Sequence, residues 1–146
     1  MAKPTFPESF NLADYYLFDR LKEGLGEKQA ILFGGRSLTY AEVAERSRAL
    51  RAFFAKAGVR REERILIMLH DTPAHPISFF ATLHHGAVVA MGNLDSPMGD
   101  LEYLVEYTRA SVIVTNPRVA KGIEAVVARE HPRCVVLVPE CATGED

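Results

Sequence analysis

The sequence predicts an α/β fold built on a parallel sheet. Four short, mainly apolar runs at residues 64–69, 87–91, 112–114 and 135–138 are predicted to be strands. The run at 64–69 is typical of a strand that is covered on both faces, and the run at 87–91 is a second candidate for a buried strand. Stretches with apolar residues at helical spacing separate these runs. Strands that alternate with helices in this way predict βαβ units, in which consecutive strands lie parallel.

A β-hairpin is predicted before the first of these strands. Residues 30–33 and 36–39 are extended runs on either side of Gly34-Gly35, a pair that suits a tight hairpin turn. Thr39 and Glu42 then match a capping box, in which each side chain accepts a hydrogen bond from a backbone N–H at the helix start. The helix is predicted to end at Gly58, and its apolar positions are Val43, Leu50, Phe53, Phe54 and Ala57.

Three further helices are predicted between the strands of the sheet. The first of them begins at Thr72-Pro73 and ends at Gly86. Ser96 and Pro97 match an N-cap followed by proline at the first helical position, and the apolar face is formed by Leu101, Leu104, Val105 and Tyr107. The last helix begins at Asn116-Pro117, and its apolar positions are Ile123, Val126 and Val127.

Length and composition indicate one cytoplasmic globular domain over residues 1–146. Hydrophobic residues make up 48% of the chain, and 17 basic against 19 acidic residues leave a net charge of −2, which gives no overall attraction to nucleic acid or an anionic membrane. No apolar run is long enough to span a membrane. The two cysteines form no disulfide framework, and the first residues contain no signal-peptide core, which fits a reducing compartment.

The known nucleotide-binding and hydrolase motifs are missing from the sequence. It contains no G-x-G-x-x-G after a strand, no G-x-x-x-x-G-K-[ST] and no G-x-S-x-G. Gly24-Leu25-Gly26 precedes the first strand and is interpreted as a loop between a helix and a strand.

Metal-ligating residue types occur in two groups. The first contains four histidines and a neighbouring carboxylate, without a known metal-binding spacing: His70, Asp71, His75, His84 and His85. The second offers three zinc-ligand types without a fourth nearby: His131, Cys134 and Cys141.

Two further segments have a structural and a functional interpretation. Asp14, Tyr15 and Tyr16 could line a pocket, although such a cluster more often docks a terminus onto the core. The charged residues 60–64 are interpreted as a solvated connection. We therefore assign no catalytic, cofactor-binding or metal-ligating residue to this chain.

Several stretches carry a family resemblance. Residues 38–42 read LTYAE, residues 63–69 read ERILIML, residues 79–89 read FFATLHHGAVV with Asn93 following, and residues 109–115 read RASVIVT after LEYL at 101–104. In this order they resemble the N-terminal part of the acyl- and aryl-adenylate-forming enzymes, a superfamily of acid–CoA ligases, luciferases and peptide-synthetase adenylation domains. The resemblance covers about residues 10–140.

A narrower resemblance concerns the aromatic-acid ligases. Residues 10–18, which read FNLADYYLF, together with EERIL at 62–66 and LHDT at 69–72, look most like benzoate–CoA ligases. The resemblance implies that a small aromatic carboxylic acid reacts with ATP and Mg²⁺ to give an acyl-adenylate and pyrophosphate. The thiol of CoA, or of a carrier protein's phosphopantetheine, then displaces AMP.

The resemblance also implies that the catalytic parts lie outside this sequence. In the family the phosphate-binding loop, the acid that holds the ribose and the mobile C-terminal lysine all lie downstream of the region that matches. Residues 1–146 would then be the N-terminal subdomain of a larger ligase, with the remainder of the parent as partner and a homodimer as an open alternative. No ATP, Mg²⁺ or CoA is expected to bind this fragment alone.

One departure from the family pattern leaves the acceptor open. Some aromatic-acid ligases have an arginine, placed to meet a CoA phosphate, two positions after the residue that Asn93 matches. This chain has Asp95 there, and a carboxylate repels phosphate. An adenylation domain that loads a carrier protein is therefore an alternative. A non-enzymatic α/β binding module is a further alternative. Such a module should have a mostly polar surface, whereas a fragment of a larger ligase should expose an apolar face where the rest of the protein packs.

Overall fold

A four-stranded parallel sheet is the centre of the structure. The computed structural model describes residues 7–139. Strands β3 (Arg64–Met68), β4 (Val88–Met91), β5 (Val112–Thr115) and β6 (Cys134–Leu137) are arranged in the order β4-β3-β5-β6, and every neighbouring pair is parallel. The predicted α/β class and parallel sheet are confirmed.

Helices cover both faces of this sheet. Helix α2 (Tyr40–Lys56) packs beside α3 (Ala74–His85), which links β3 to β4. On the opposite face lie α4 (Met98–Thr108), which crosses from β4 to β5, and the consecutive helices α5 (Pro117–Gly122) and α6 (Glu124–Glu130), which lead to β6. The result is a three-layer, doubly wound arrangement.

Alternation along β3 divides the core between the two faces. Ile65 and Ile67 pack in one cluster with Phe54 of α2. Leu66 and Met68 point the other way and pack with the helices of the second face. All four of these strand residues are almost completely buried, as the continuous apolar run predicts for a central parallel strand.

The hairpin and the helix cap form as predicted. Strands β1 (Gln29–Phe33) and β2 (Arg36–Thr39) are antiparallel, and the turn residues Gly34 and Gly35 have φ of 54° and 70°, values that favour glycine in such a turn. The backbone N–H of Glu42 donates to the Thr39 hydroxyl at 3.2 Å, and a Glu42 carboxylate oxygen accepts from the Thr39 N–H at 2.8 Å. Gly58 follows α2 with φ of 77°, which is the predicted stop.

The N-terminal segment forms a π-helix (Asp14–Phe18) that continues into α1 (Asp19–Lys22). Ala13, Leu17 and Phe18 are buried and pack against α2 and α3 in a third cluster. Residues 24–26 form the loop between α1 and β1, as predicted.

The start of α4 differs from the prediction. The Ser96 N–H donates to the Asn93 carbonyl at 3.1 Å, so Ser96 belongs to the preceding turn, and Pro97 occupies the N-cap without a side-chain bond. Tyr107 is also wrongly placed on the apolar face, because it is 72% exposed and its ring stacks on Tyr103 at 5.6 Å. Two positions separate Tyr107 from buried Val105, which turns its side chain about 200° around the helix.

The last predicted helix is in fact two. Residue Ile123 separates α5 from α6 with φ of −96° and ψ of 8°, and its side chain is completely buried. The break does not interrupt the apolar face, since Val119 and Val126 on either side of it are buried in the same cluster.

The strand predicted as buried at residues 87–91 is only partly buried. Because β4 lies at the edge of the described sheet, Val88 and Met91 are 46% and 57% exposed. Strand β6 forms the other edge, and Leu137 is exposed there. Phe53, predicted on the apolar side of α2, is 43% exposed because the adjacent Phe54 takes the buried position.

Candidate functional site

The topological switch point of the sheet lies between β3 and β5. The chain leaves β3 toward β4 on one side and leaves β5 toward β6 on the other. Ligands of open α/β sheets bind where such connections diverge, at the carboxyl ends of the strands. The candidate site is therefore the edge formed by the residues that end β3, β4 and β5, which we call the carboxyl edge.

Two buried polar residues end β5 at this edge. The Asn116 side chain caps α5, because its Oδ1 accepts from the Val119 N–H at 2.8 Å. Thr115 is completely buried, and its hydroxyl has no hydrogen-bond partner within residues 7–139. The sequence offers one weak signal for this pair, a threonine and an asparagine that close an apolar run.

A tight turn follows β4 at the same edge. The Gly92 N–H donates to the Ile67 carbonyl at 3.0 Å, and a Cβ on Gly92 would lie 2.8 Å from Leu104 Cδ1. Asn93 Oδ1 accepts from the Asp95 N–H at 3.0 Å, which holds the exposed Asp95 one turn before α4. The carboxyl edge is thus built from capping and turn contacts.

The histidines of the first group are distributed over separate contacts. His75 Nδ1 lies 3.6 Å from an Asp71 carboxylate oxygen, and His85 Nε2 lies 2.8 Å from the Val59 carbonyl oxygen. His70 is exposed. In the part of the chain that the structure describes, no three His, Cys, Asp or Glu side chains are placed to hold a metal ion.

His84 instead holds the N-terminal segment. Its ring centroid lies 4.2 Å from that of Phe18, and its Nδ1 lies 3.5 Å from an Asp14 carboxylate oxygen. Burial lowers the pKa of His84, helped by the positive charge of Arg51 and opposed by Asp14. Tyr15 and Tyr16 remain exposed. The docking interpretation of this segment is therefore correct, but buried apolar residues beside the tyrosines supply the contacts.

The second group of potential ligands is only partly described. Cys134 is half-buried in β6, and burial raises the pKa of its thiol. His131 ends α6 in the left-handed conformation with φ of 51°. Cys141 lies outside the described residues, so the arrangement of the three remains a prediction.

The charged connection before β3 is exposed but well bonded. One Glu63 carboxylate oxygen accepts from the Arg60 N–H at 3.0 Å, and the other accepts from the Arg133 guanidinium at 3.2 Å. The Arg64 guanidinium donates to the carbonyls of Thr108 and Arg109 at 2.9 and 3.0 Å. The loop therefore ties β3 to the ends of α4 and α6.

The Glu63 contacts give a testable pH dependence. The pKa of Glu63 is lowered from 4.5 to about 2. The largest cause is the hydrogen bond from the Arg60 N–H, and Arg133 contributes as well. Because the folded state holds this carboxylate ionised, we expect the stabilisation to be full above pH 4.5 and to be lost as the pH falls toward 2. Urea denaturation at several pH values should show that the Glu63→Gln variant loses less stability than the wild type as the pH falls. Glu45→Gln, at an exposed position on α2, is the control, and an equal reduction there would contradict the assignment.

The fold and the carboxyl edge define a doubly wound α/β domain. The sequence family described as AMP-binding enzyme matches residues 18–145. The chain belongs to that family.

Relatives and solved structures agree with this assignment. The chain is 29% identical over 130 residues to a 4-hydroxybenzoate–CoA/benzoate–CoA ligase of Rhodopseudomonas palustris, covering 88% of this chain and 24% of the relative. It superimposes on a benzoate CoA ligase from Burkholderia xenovorans LB400 with a TM-score of 0.77 and 30% identity, covering 89% of this chain and 26% of that one. Tyrocidine synthase 3 of Brevibacillus parabrevis is 26% identical over 130 residues, 89% of this chain and 2% of the relative.

The chain is much shorter than the ligases that it matches. The chain spans about a quarter of each of the two benzoate ligases. Within the described residues, no helix is both long enough and apolar enough to cross a bilayer.

Proposed function

We propose that residues 1–146 are the N-terminal subdomain of an ATP-dependent aromatic carboxylic acid–CoA ligase of the cytoplasm. The observation that carries the proposal is the co-linear match to benzoate ligases over 88% and 89% of this chain, in sequence and in fold. In the proposed reaction the carboxylate attacks the α-phosphate of ATP, releasing pyrophosphate and forming an acyl-adenylate. The CoA thiol then attacks the acyl carbon and AMP leaves.

The described residues supply a scaffold for this reaction. Polar groups at the carboxyl edge cap helices and close turns, as Asn116 and Asn93 do. No cluster within residues 7–139 fits Mg²⁺. We therefore assign the catalytic groups and the metal site to the remainder of the parent.

The surface supports a domain that packs against further protein. Val88 and Met91 on the edge strand β4 are exposed, and so are the stacked Tyr103 and Tyr107 on α4. Exposed apolar patches of this kind mark interaction surfaces. This observation favours the ligase subdomain over a free-standing binding module, and the partner is the remainder of the ligase or, in a homodimer, a second subunit.

A carrier-protein acceptor is the second candidate. It is supported by the exposed carboxylate of Asp95, where some aromatic-acid ligases have an arginine placed to meet a CoA phosphate, and by the similarity to tyrocidine synthase 3. A negative charge at this position disfavours a CoA phosphate at close range.

The test begins with the intact mass of the protein purified from its source. A mass several-fold above 16.2 kDa is expected, and that protein should release pyrophosphate when ATP, Mg²⁺ and an aryl acid are supplied. The 146-residue chain should release none. A CoA thioester identifies the ligase, whereas an acylated carrier protein identifies the alternative. No pyrophosphate release with any acid of a broad panel would contradict both proposals. A mass of 16.2 kDa for the protein from its source would favour the binding module.

A further inference from the structure

A cavity of about 580 Å³ lies between the hairpin and the start of α3, apart from the turns after β4 and β5. Ile31 and Leu38 of the hairpin, Ile77 of α3 and Val138 after β6 form apolar walls. Its volume falls within the range of small-molecule sites, about 300–1,000 Å³.

Two arginines give this cavity a positive charge. Arg36 on β2 and Arg46 on α2 both line it, and both are exposed. Neither guanidinium group forms an ion pair or a hydrogen bond with any residue in the described range 7–139. The described residues that line the cavity include no aspartate or glutamate, so none of them neutralises the two guanidinium groups.

The remaining polar groups in the lining are hydroxyls. Ser37 lies between Arg36 and the apolar Leu38, and Thr72 lies at the loop before α3. Guanidinium groups bind planar oxyanions through paired N–H donors, and hydroxyls can add a further donor. The combination of apolar walls, two unpaired cations and no acidic group is complementary to an anion that carries an apolar body.

We propose that this cavity binds a small organic carboxylate, with the carboxylate on Arg36 and Arg46 and the apolar body against Ile31, Leu38 and Ile77. The proposal does not depend on the ligase reaction proposed above. Each guanidinium would gain the anionic partner that the described chain does not provide.

The experiment is an NMR titration of the isotopically labelled 146-residue chain with 4-phenylbutyrate. We expect saturable shifts of the backbone amide signals of Ser37, Ala74 and Ile77. The neutral analogue 4-phenylbutan-1-ol should bind at least tenfold more weakly, because it lacks the charge. Phenyl phosphate distinguishes a phosphate site from a carboxylate site.

Arg36→Gln combined with Arg46→Gln should weaken 4-phenylbutyrate binding tenfold or more. The matched control is Arg118→Gln, an exposed arginine on α5 at the opposite face of the sheet, which should leave the affinity unchanged. Because all three side chains are exposed, the variants should keep the wild-type spectrum elsewhere. Equal binding of the alcohol, tighter binding of phenyl phosphate, or undiminished binding by the double variant would each overturn the proposal.

Discussion

Replacing Phe54 by alanine is expected to lower the free energy of unfolding by about 3–5 kcal/mol, the usual cost of truncating a fully buried aromatic residue. Phe54 is completely buried in the cluster that joins α2 to one face of the sheet. Its neighbours in that cluster include Ile65, Ile67 and Val114, which come from the two central strands. Truncation would therefore open a cavity where the helix layer meets the sheet, and urea denaturation measures the loss.

The adjacent residue provides a matched control for this prediction. Phe53 has the same side chain in the same helix but is 43% exposed. Phe53→Ala should cost less than about 1 kcal/mol, since most surface substitutions have small effects. Equal losses in the two variants would contradict the burial assigned to them.

Replacing Thr115 by valine is expected to stabilise the fold by about 1–3 kcal/mol, the penalty for a buried hydroxyl without a partner. Thr115 is completely buried, and its Oγ1 has no hydrogen-bond partner within residues 7–139. Valine has nearly the same shape, and the backbone contact from the Val138 N–H to the Thr115 carbonyl, at 2.8 Å, would remain. The shift of the urea midpoint measures the gain.

Another buried threonine should respond in the opposite direction. The Thr82 hydroxyl donates to the Ser78 carbonyl at 2.8 Å inside α3. Thr82→Val should therefore lower the free energy of unfolding by about 0.5–1.5 kcal/mol, the net contribution of an ordinary hydrogen bond. A loss of stability in Thr115→Val as well would show that its hydroxyl has a partner outside the described residues.

The sequence predicts most of the regular structure because local rules decide it. Gly34 and Gly35 supply the positive φ that the hairpin turn needs, and Thr39 with Glu42 satisfies the first backbone N–H groups of α2. The four apolar runs predict the sheet strands, and the central strand β3, which is buried on both faces, shows no polar alternation. The family resemblance extends this to the order of the elements.

The sequence-based prediction is wrong where other residues that are close in space determine the local structure. Ser96 is a good N-cap by type, but it lies in the turn that begins at Asn93, and Pro97 takes the N-cap position instead. Val88 and Met91 read as buried, yet they are exposed because β4 lies at an edge of the sheet. The strand order is not encoded by the apolarity of any single run.

The candidate sites likewise combine features that the sequence predicts with features that only the tertiary structure reveals. The sequence by itself determined the α/β class, the hairpin, the capped helix and the family, because turn chemistry, periodicity and residue order are local properties of the chain. Only the tertiary structure decided that Thr115 is buried without a partner, that His84 holds Phe18, and that Arg36 and Arg46 share one cavity. Those relations depend on residues from different elements, which only the packing of the layers brings close together.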